Sequence, residues 1–278
     1  MSFLVLLLVL VIEKFSALRS RIQDDRFLLR ELRRLETGPR LVSQPWLVLT
    51  LWVLLPCVLL ALLLFVLKPV AYGLLALPVH LLVLVYSLGR GDLRGSLGPF
   101  RDAWRREDTQ GALHVAQRDL DLTAEGGPQL LQRVQAHFVW DAYQGFFAVI
   151  FWYVLLGPVA ALAYRLLALA QIHSQNPGVT ERAAQIQHAF DFLPVRLLAM
   201  SFALVGNFVA VSRVMLHELL NWYLSAPDLI DRAGRVAGDF PPPEPGSAGL
   251  VALDRIWELL LRSAILWYAV FAAWTLFT

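Results

Sequence analysis

A set of polar side chains stands within or beside long apolar stretches of this sequence, and these residues are the ones best placed to do chemistry. Charged and amide groups are costly at membrane depth, so they usually face a bundle interior, a cavity or an interface. Arg196, for example, either extends its head group to the interface or forms an interior ion pair with Asp141 or Asp191. We predict ligand-binding or bundle-interior roles for the whole set, which is Asp141, Gln144, Tyr164, Arg165, Asp191, Arg196 and Asn207.

The sequence lacks the common patterns for metal and nucleotide sites. Cys57 is the only cysteine, which excludes disulfides and cysteine-ligated metals. The spacing of His173 and His188, without a carboxylate at neighbouring helical positions, is not that of a metal site. The glycine-rich run at 89–100 lacks the spacing of a phosphate-binding loop. The sequence therefore predicts no catalytic residue, no metal and no cofactor.

The composition is that of a membrane protein. Hydrophobic residues make up 58% of the chain and charged residues 17%, whereas soluble domains carry about 25% charged residues. The mean hydropathy is +0.58. The net charge of +2 is too small to indicate a nucleic-acid partner. The predicted partner is therefore the lipid bilayer, and the oligomeric state is not indicated.

The apolar stretches predict an all-α, polytopic membrane protein with five or six transmembrane helices in a single domain, 1–278. About 20 apolar residues are needed to cross the hydrocarbon core. The first stretch is short, so it either crosses marginally or inserts halfway. Pro158 and Pro194 mark either crossing or re-entrant helices. The predicted spans are about 2–18, 46–67, 70–88, 138–167, 192–216 and 256–277.

The basic segments between the spans predict the topology. Short loops rich in arginine stay in the cytoplasm, which places 19–45, 90–137 and 217–255 there. Residues 15–35 alternate apolar and basic positions at helical spacing, as in an amphipathic helix. This helix either packs on its own protein or offers a surface to a partner or to anionic lipids.

The central stretch resembles a known family. The run FVWDAYQGFFAVIFWYVLLGPVAALAYRLL at 138–167, followed by QHAFDFLPVRLLA at 187–199, resembles the AmpE family of bacterial inner-membrane proteins. The resemblance runs from Glu13 to about Gly206. Its most specific parts are Phe151-Trp152, Gly157, Tyr164-Arg165 and the element formed by Asp191, Pro194, Val195, Arg196 and Leu197.

The AmpE family is in turn distantly similar to the CobD/CbiB enzymes of cobalamin assembly. This chain differs from those enzymes at the acidic positions of their sequence pattern. When the acidic pattern of those synthases is laid on this chain, its carboxylates fall on neutral side chains. An ATP-dependent amide synthase needs such acids to hold Mg²⁺ and to accept a proton. The positions concerned are Ala136, Trp140, Gln144, Gln187 and His188.

The resemblance therefore implies a function without catalysis. It implies a signalling or modulator protein of the bacterial inner membrane, which acts in β-lactamase induction linked to cell-wall recycling. Such a protein would bind a small ligand or a protein partner within a CobD/CbiB-like bundle, and a cell-wall fragment is one candidate. The alternative is a membrane enzyme of the CobD/CbiB type with an altered substrate.

Overall fold

The computed structural model describes residues 22–38, 43–68, 75–89, 93–218, 221–238 and 247–277. Every regular element in those ranges is a helix, which confirms the all-α fold class. A π-helical turn spans Tyr143–Phe147. The helices are α1 (Arg26–Thr37), α2 (Pro45–Leu67), α3 (Ala76–Ser87), α4 (Leu93–Ser96), α5 (Gly98–Arg105), α6 (Thr109–Leu120), α7 (Gly127–Ala142), α8 (Ala148–Leu156), α9 (Pro158–His173), α10 (Pro177–Val205), α11 (Phe208–Glu218), α12 (Ala226–Gly238) and α13 (Ser247–Phe277).

Four helical segments of the described chain are long and apolar enough to cross a membrane. Their lengths of 23 to 30 residues suit a bilayer, because a helix rises about 1.5 Å per residue and the hydrocarbon core is about 30 Å thick. The chain is therefore consistent with a membrane protein. The four segments are Pro45–Leu67, Gly127–Leu156, Pro177–Val205 and Gly249–Trp274.

The predicted count of five or six spans is not confirmed by these four segments. The predicted first span, 2–18, lies outside the described residues. The predicted span 70–88 contains α3, an apolar helix of 12 residues that is shorter than a bilayer crossing requires.

One compact unit contains the described residues up to Leu88 together with Ala148–Asp191. In this unit α9 packs against α1, α2, α3 and α8. The indole Nε1 of Trp52 donates a hydrogen bond of 3.0 Å to the carbonyl of Leu166, which joins α2 to α9 inside the core. The core side chains are Leu32, Val48, Leu49, Trp52, Cys57, Leu166, Leu167, Leu169, Ala170, Val179 and Ala183.

The first amphipathic helix is shorter than predicted. The prediction was one helix over 15–35, but residues 23–25 are not helical and α1 begins at Arg26. The apolar face of α1 packs on its own unit, since Leu32 is fully buried and its neighbours on the same face contact the core. This packing agrees with the interpretation of a helix packed on its own protein, while the predicted cytoplasmic amphipathic helix stays a prediction.

The predicted central span, 138–167, is not one helix. The α-helix that enters it begins at Gly127, and the chain breaks between Leu156 and Pro158. Proline lacks an N–H and clashes with the preceding turn, so it starts α9 instead of continuing α8. Gly157 makes the break with a φ of +83°, a left-handed conformation that glycine adopts without strain. The continuous apolar segment is therefore Gly127–Leu156.

The predicted span 192–216 is also corrected. Helix α10 begins well before it, at Pro177, and has Pro194 inside it, so Pro194 does not begin a re-entrant helix. The helix ends at Val205 because the next residues start α11. Asn207 caps that start, since its Oδ1 accepts a hydrogen bond of 3.1 Å from the backbone N–H of Ala210.

The second compact unit contains the described residues of Gly89–Phe147 and Phe192–Phe277. Helix α7 packs against α6, α12 and α13, while α5 packs against α6 and α13. Phe100 and Trp104, in the segment 90–137, are buried in this unit. The side of the membrane on which this segment lies stays a prediction.

A close approach of two glycine backbones fixes the π-helical turn within this unit. The N–H of Gly89 donates a hydrogen bond of 2.6 Å to the carbonyl of Gly145. A Cβ placed on Gly145 would lie 2.9 Å from the Cα of Gly89. Backbone atoms cannot yield as a flexible side chain can, so any side chain at 145 must move one segment.

Substitution of Gly145 by alanine is therefore expected to lower the free energy of unfolding by about 1–3 kcal/mol, because it overpacks this contact. A thermal unfolding scan of the purified chain in detergent would measure the loss. Gly98→Ala is the matched control, because a Cβ at Gly98 meets nothing within 4 Å. Equal melting temperatures for the two variants would show that the glycine contact does not hold the turn.

Candidate functional site

Two consecutive residues of α9 each contact a buried carboxylate in the first unit. The hydroxyl of Tyr164 donates a hydrogen bond of 2.8 Å to Oδ1 of Asp191. The guanidinium Nη2 of Arg165 lies 3.3 Å from Oδ2 of Asp25. The exposed fractions of Tyr164 and Asp191 are 1% and 3%, and the Asp25 side chain is 2% exposed. We call these four residues the α9 polar cluster.

The segment before α1 brings Asp25 to this cluster. The hydroxyl of Tyr86, on α3, donates a 2.7 Å hydrogen bond to Oδ1 of Asp25. Gln23 Nε2 donates to the carbonyls of Val85 and Leu88, at 2.9 and 3.0 Å. Carbonyls at the end of a helix lack helical partners, so Gln23 satisfies acceptors at the end of α3. Residues 23–25 are thus tied to both α3 and α9.

The buried stripe of α10 is apolar in the first turns of the helix and polar further along it. Positions 179, 183, 187 and 191 recur every four residues and so lie on one face. Val179 and Ala183 belong to the apolar core, whereas Gln187 and Asp191 put polar groups in the same stripe. The stripe therefore becomes polar where it reaches the α9 polar cluster.

Gln187 is buried without hydrogen-bond partners in the described chain. Its exposed fraction is 2%, and neither Oε1 nor Nε2 makes a hydrogen bond. Leaving a buried polar group unsatisfied costs about 1–3 kcal/mol. Such a group in a native fold therefore calls for an explanation, such as a bound water, ion or ligand. The amide can donate and accept at once, which suits a neutral ligand with amide or hydroxyl groups.

A second unsatisfied donor lies near the same part of α10. The ring of Trp152 packs at a tilt of 50° against Phe190, with 4.9 Å between ring centroids, and Phe190 is the residue before Asp191. The indole Nε1 of Trp152 is buried and makes no hydrogen bond within the described chain. Donor groups on α8 and on α10 are thus both unused beside this segment.

A third buried carboxylate fixes the turn between α9 and α10. Glu36, at the end of α1, is 8% exposed. It accepts hydrogen bonds from the hydroxyl of Ser174 and, at 3.2 Å, from the backbone N–H of Gln175. This contact orders the turn that separates the two helices, so α1 is coupled to the helices that carry the α9 polar cluster.

Arg196 is the predicted site residue of the second unit. It is 7% exposed, and its guanidinium donates to the carbonyls of Phe192 and Asn221, at 2.7 and 2.8 Å. The guanidinium carbon also lies 3.5 Å from the centroid of the Phe192 ring. These contacts join α10 to the segment after α11. The predicted ion pair with Asp141 or Asp191 stays a prediction.

The other predicted residues take different positions. Asp141 is exposed, which corrects the expectation of an interior side chain. Gln144 is half-buried in the π-helical turn. Asn207 is exposed and caps α11, so its polar group serves the helix start and not an interior site. A ligand-binding role for Asp141 and Gln144 stays a prediction.

The structure adds residues that the sequence did not single out. Asp25 lies between Asp24 and Arg26, and this charged run resembled a solvated surface. Gln187 had two usable signals, which are its four-residue spacing from Asp191 on the same helix and its place at an acidic position of the CobD/CbiB pattern. Within the described residues, no group of three or more His, Cys, Asp or Glu side chains could hold a metal ion.

Comparison with known proteins gives one match. The family model described as "Regulatory signalling modulator protein AmpE" matches residues 1–226. No curated protein and no solved structure matches the chain. The resemblance to the CobD/CbiB enzymes finds no support in these comparisons and stays a prediction. The matched range contains both the α9 polar cluster and Gln187. Because it covers most of the 278 residues, the chain belongs to the AmpE family of regulatory signalling modulator proteins.

Proposed function

We propose that this chain is a non-catalytic signalling protein of the bacterial inner membrane that modulates β-lactamase induction, and with it antibiotic resistance, in response to cell-wall recycling. It binds a small ligand or a protein partner through polar residues inside its helical bundle. Membership of a regulatory signalling family supports the role. The observation that carries the proposal is the buried α9 polar cluster together with the unsatisfied amide of Gln187.

This arrangement suits a receptor, because a ligand that binds there would form or alter hydrogen bonds inside the bundle. A ligand that bonds to Gln187 would satisfy a group that the unliganded chain leaves without a partner. The same ligand would lie one helical turn from Asp191, which Tyr164 holds. A shift at Asp191 would therefore change its contact with Tyr164 of α9. The next residue of α9, Arg165, contacts Asp25. A ligand can shift a conformational equilibrium only through such differential contacts.

The chemistry of the site favours a ligand with neutral polar groups. An amide that donates and accepts is complementary to another amide or to a hydroxyl. Cell-wall fragments combine peptide amides with sugar hydroxyls, so they fit this requirement.

A deletion strain tests the proposal. β-Lactamase activity is measured after exposure to an inducing β-lactam in the wild type, in the deletion strain, and in deletion strains that express either the natural chain or Tyr164→Phe. Deletion is expected to change induction and the natural chain to restore it. Tyr164→Phe removes the hydroxyl that contacts Asp191, so it should restore induction only in part at equal membrane abundance. Equal induction in all four strains would count decisively against a regulatory role.

A further inference from the structure

Helix α1 has a basic face opposite its buried apolar face. At about 100° per residue, its four arginines fall within an arc of about 100°. All four are exposed, while Leu32 on the opposite side is fully buried. Phe27, beside the edge of the arc, is 67% exposed. We call this surface the arginine face, and it consists of Arg26, Arg30, Arg33 and Arg34.

The packing of α1 places this face near the end of a candidate membrane span. Leu32 shares a core cluster with Val48 and Trp52, which lie within the first eight residues of α2. Trp46, at the start of α2, is 51% exposed, and the guanidinium of Arg182 lies 5.3 Å from its ring centroid. Tryptophan is enriched at the level of the lipid headgroups. The exposed Trp46 therefore predicts that the start of α2, and α1 packed on it, lie at headgroup level.

The middle of the arginine face is free to bind an anion. Arg26 is 2.8 Å from Asp24, and Arg34 is 2.6 Å from Glu31. Arg30 and Arg33 have no acidic partner among the residues that the structure describes. Residues three apart on a helix are neighbours on its surface, so both guanidiniums can reach one phosphate.

We propose that the arginine face binds the phosphate groups of anionic phospholipids in the leaflet where α2 begins. Arginine binds phosphate through paired N–H donors. Clusters of basic residues on amphipathic helices beside a membrane span are typical of anionic-lipid binding. The exposed ring of Phe27 adds an apolar contact with the acyl-chain boundary. This inference does not depend on the proposed signalling function.

The test uses the full chain, purified in a neutral detergent, with phosphatidylglycerol or phosphatidylcholine added. Native mass spectrometry measures the affinity for each lipid. The natural chain is expected to prefer phosphatidylglycerol. The double variant Arg30→Gln/Arg33→Gln should bind it on the order of 10- to 30-fold more weakly, since each basic residue near a membrane surface contributes about fivefold.

Two matched variants make the test specific. Arg105→Gln/Arg106→Gln removes the same charge from exposed positions elsewhere and should keep the lipid preference. Arg30→Lys/Arg33→Lys keeps the charge and should retain most of the binding. Equal losses in both glutamine variants would show a general charge effect and overturn the proposal, as would unchanged binding by Arg30→Gln/Arg33→Gln. Displacement of phosphatidylglycerol by millimolar inorganic phosphate would also overturn it, because the site would then be one for soluble anions.

Discussion

Replacement of Arg165 by glutamine is expected to be one of the most destabilising single changes in this chain. It removes the guanidinium from Asp25, whose side chain is only 2% exposed. Removing one partner of a buried ion pair costs about 3–5 kcal/mol, because the remaining charge stays away from water. We expect a value near the lower end of that range, since Arg165 is itself 16% exposed. Titration with sodium dodecyl sulfate would measure the free energy of unfolding.

The double variant Asp25→Asn/Arg165→Gln should be more stable than Arg165→Gln alone. Neither member of the pair then carries a charge, and the asparagine Oδ1 still accepts the hydrogen bond from Tyr86. Arg262→Gln is the control, because its pair with Glu258 is exposed on both sides and should contribute about 0–1 kcal/mol. A double variant no more stable than Arg165→Gln would show that Asp25 is not held by Arg165.

Replacement of Gln187 by methionine is expected to separate stability from function. Methionine has a similar length and needs no hydrogen bonds, so it removes two unsatisfied buried groups. The free energy of unfolding should rise by about 1–2 kcal/mol. If the amide binds the signalling ligand, the same variant should fail to restore β-lactamase induction in the deletion strain. Stabilisation with loss of function is the pattern expected where a site is kept at a cost in stability.

Gln185→Met is the matched control for this prediction. Gln185 lies on the same helix but is exposed, so the change should leave both unfolding and induction near the natural values. A Gln187→Met chain that restores full induction would remove Gln187 from the proposed site. A large loss of stability in that variant would instead indicate that the amide makes structural hydrogen bonds.

Under the proposed function, the contacts between α1 and the α9 polar cluster would connect ligand binding to the arginine face. Asp25 precedes α1 and accepts a hydrogen bond from Tyr86 of α3, while Glu36 lies near the end of α1 and accepts one from the turn between α9 and α10. A change at the α9 polar cluster would therefore act on α1 at its first turn. Because α1 carries the arginine face, such a change would alter the surface through which we propose that the chain binds anionic lipids.

Much of the fold follows from local patterns in the sequence. The apolar run at 46–67 predicted α2 almost to the residue, because about 20 apolar residues in a row favour a spanning helix without help from neighbours. The boundaries of α9 and α10 were wrong for a different reason. A proline starts a new helix at Pro158, yet Pro194 lies within one. Gly157 before Pro158 permits the left-handed turn that ends α8, whereas Leu193 before Pro194 offers no such turn. The local pattern therefore favours a break at Pro158, and the continuity of α10 through Pro194 is decided by packing.

The sequence by itself determined that this is an all-α chain with helices long and apolar enough to cross a membrane, that Tyr164 and Asp191 are polar residues of its interior, and to which family it belongs. These properties depend on composition, on helical spacing and on short motifs, all of which are local. Only the tertiary structure decided that Asp25 is the acid beside Arg165, that Asn207 caps a helix, and that Gln187 is buried with its amide unsatisfied. Whether a polar group faces water, lipid or another side chain depends on segments distant along the chain, and no local pattern encodes that choice.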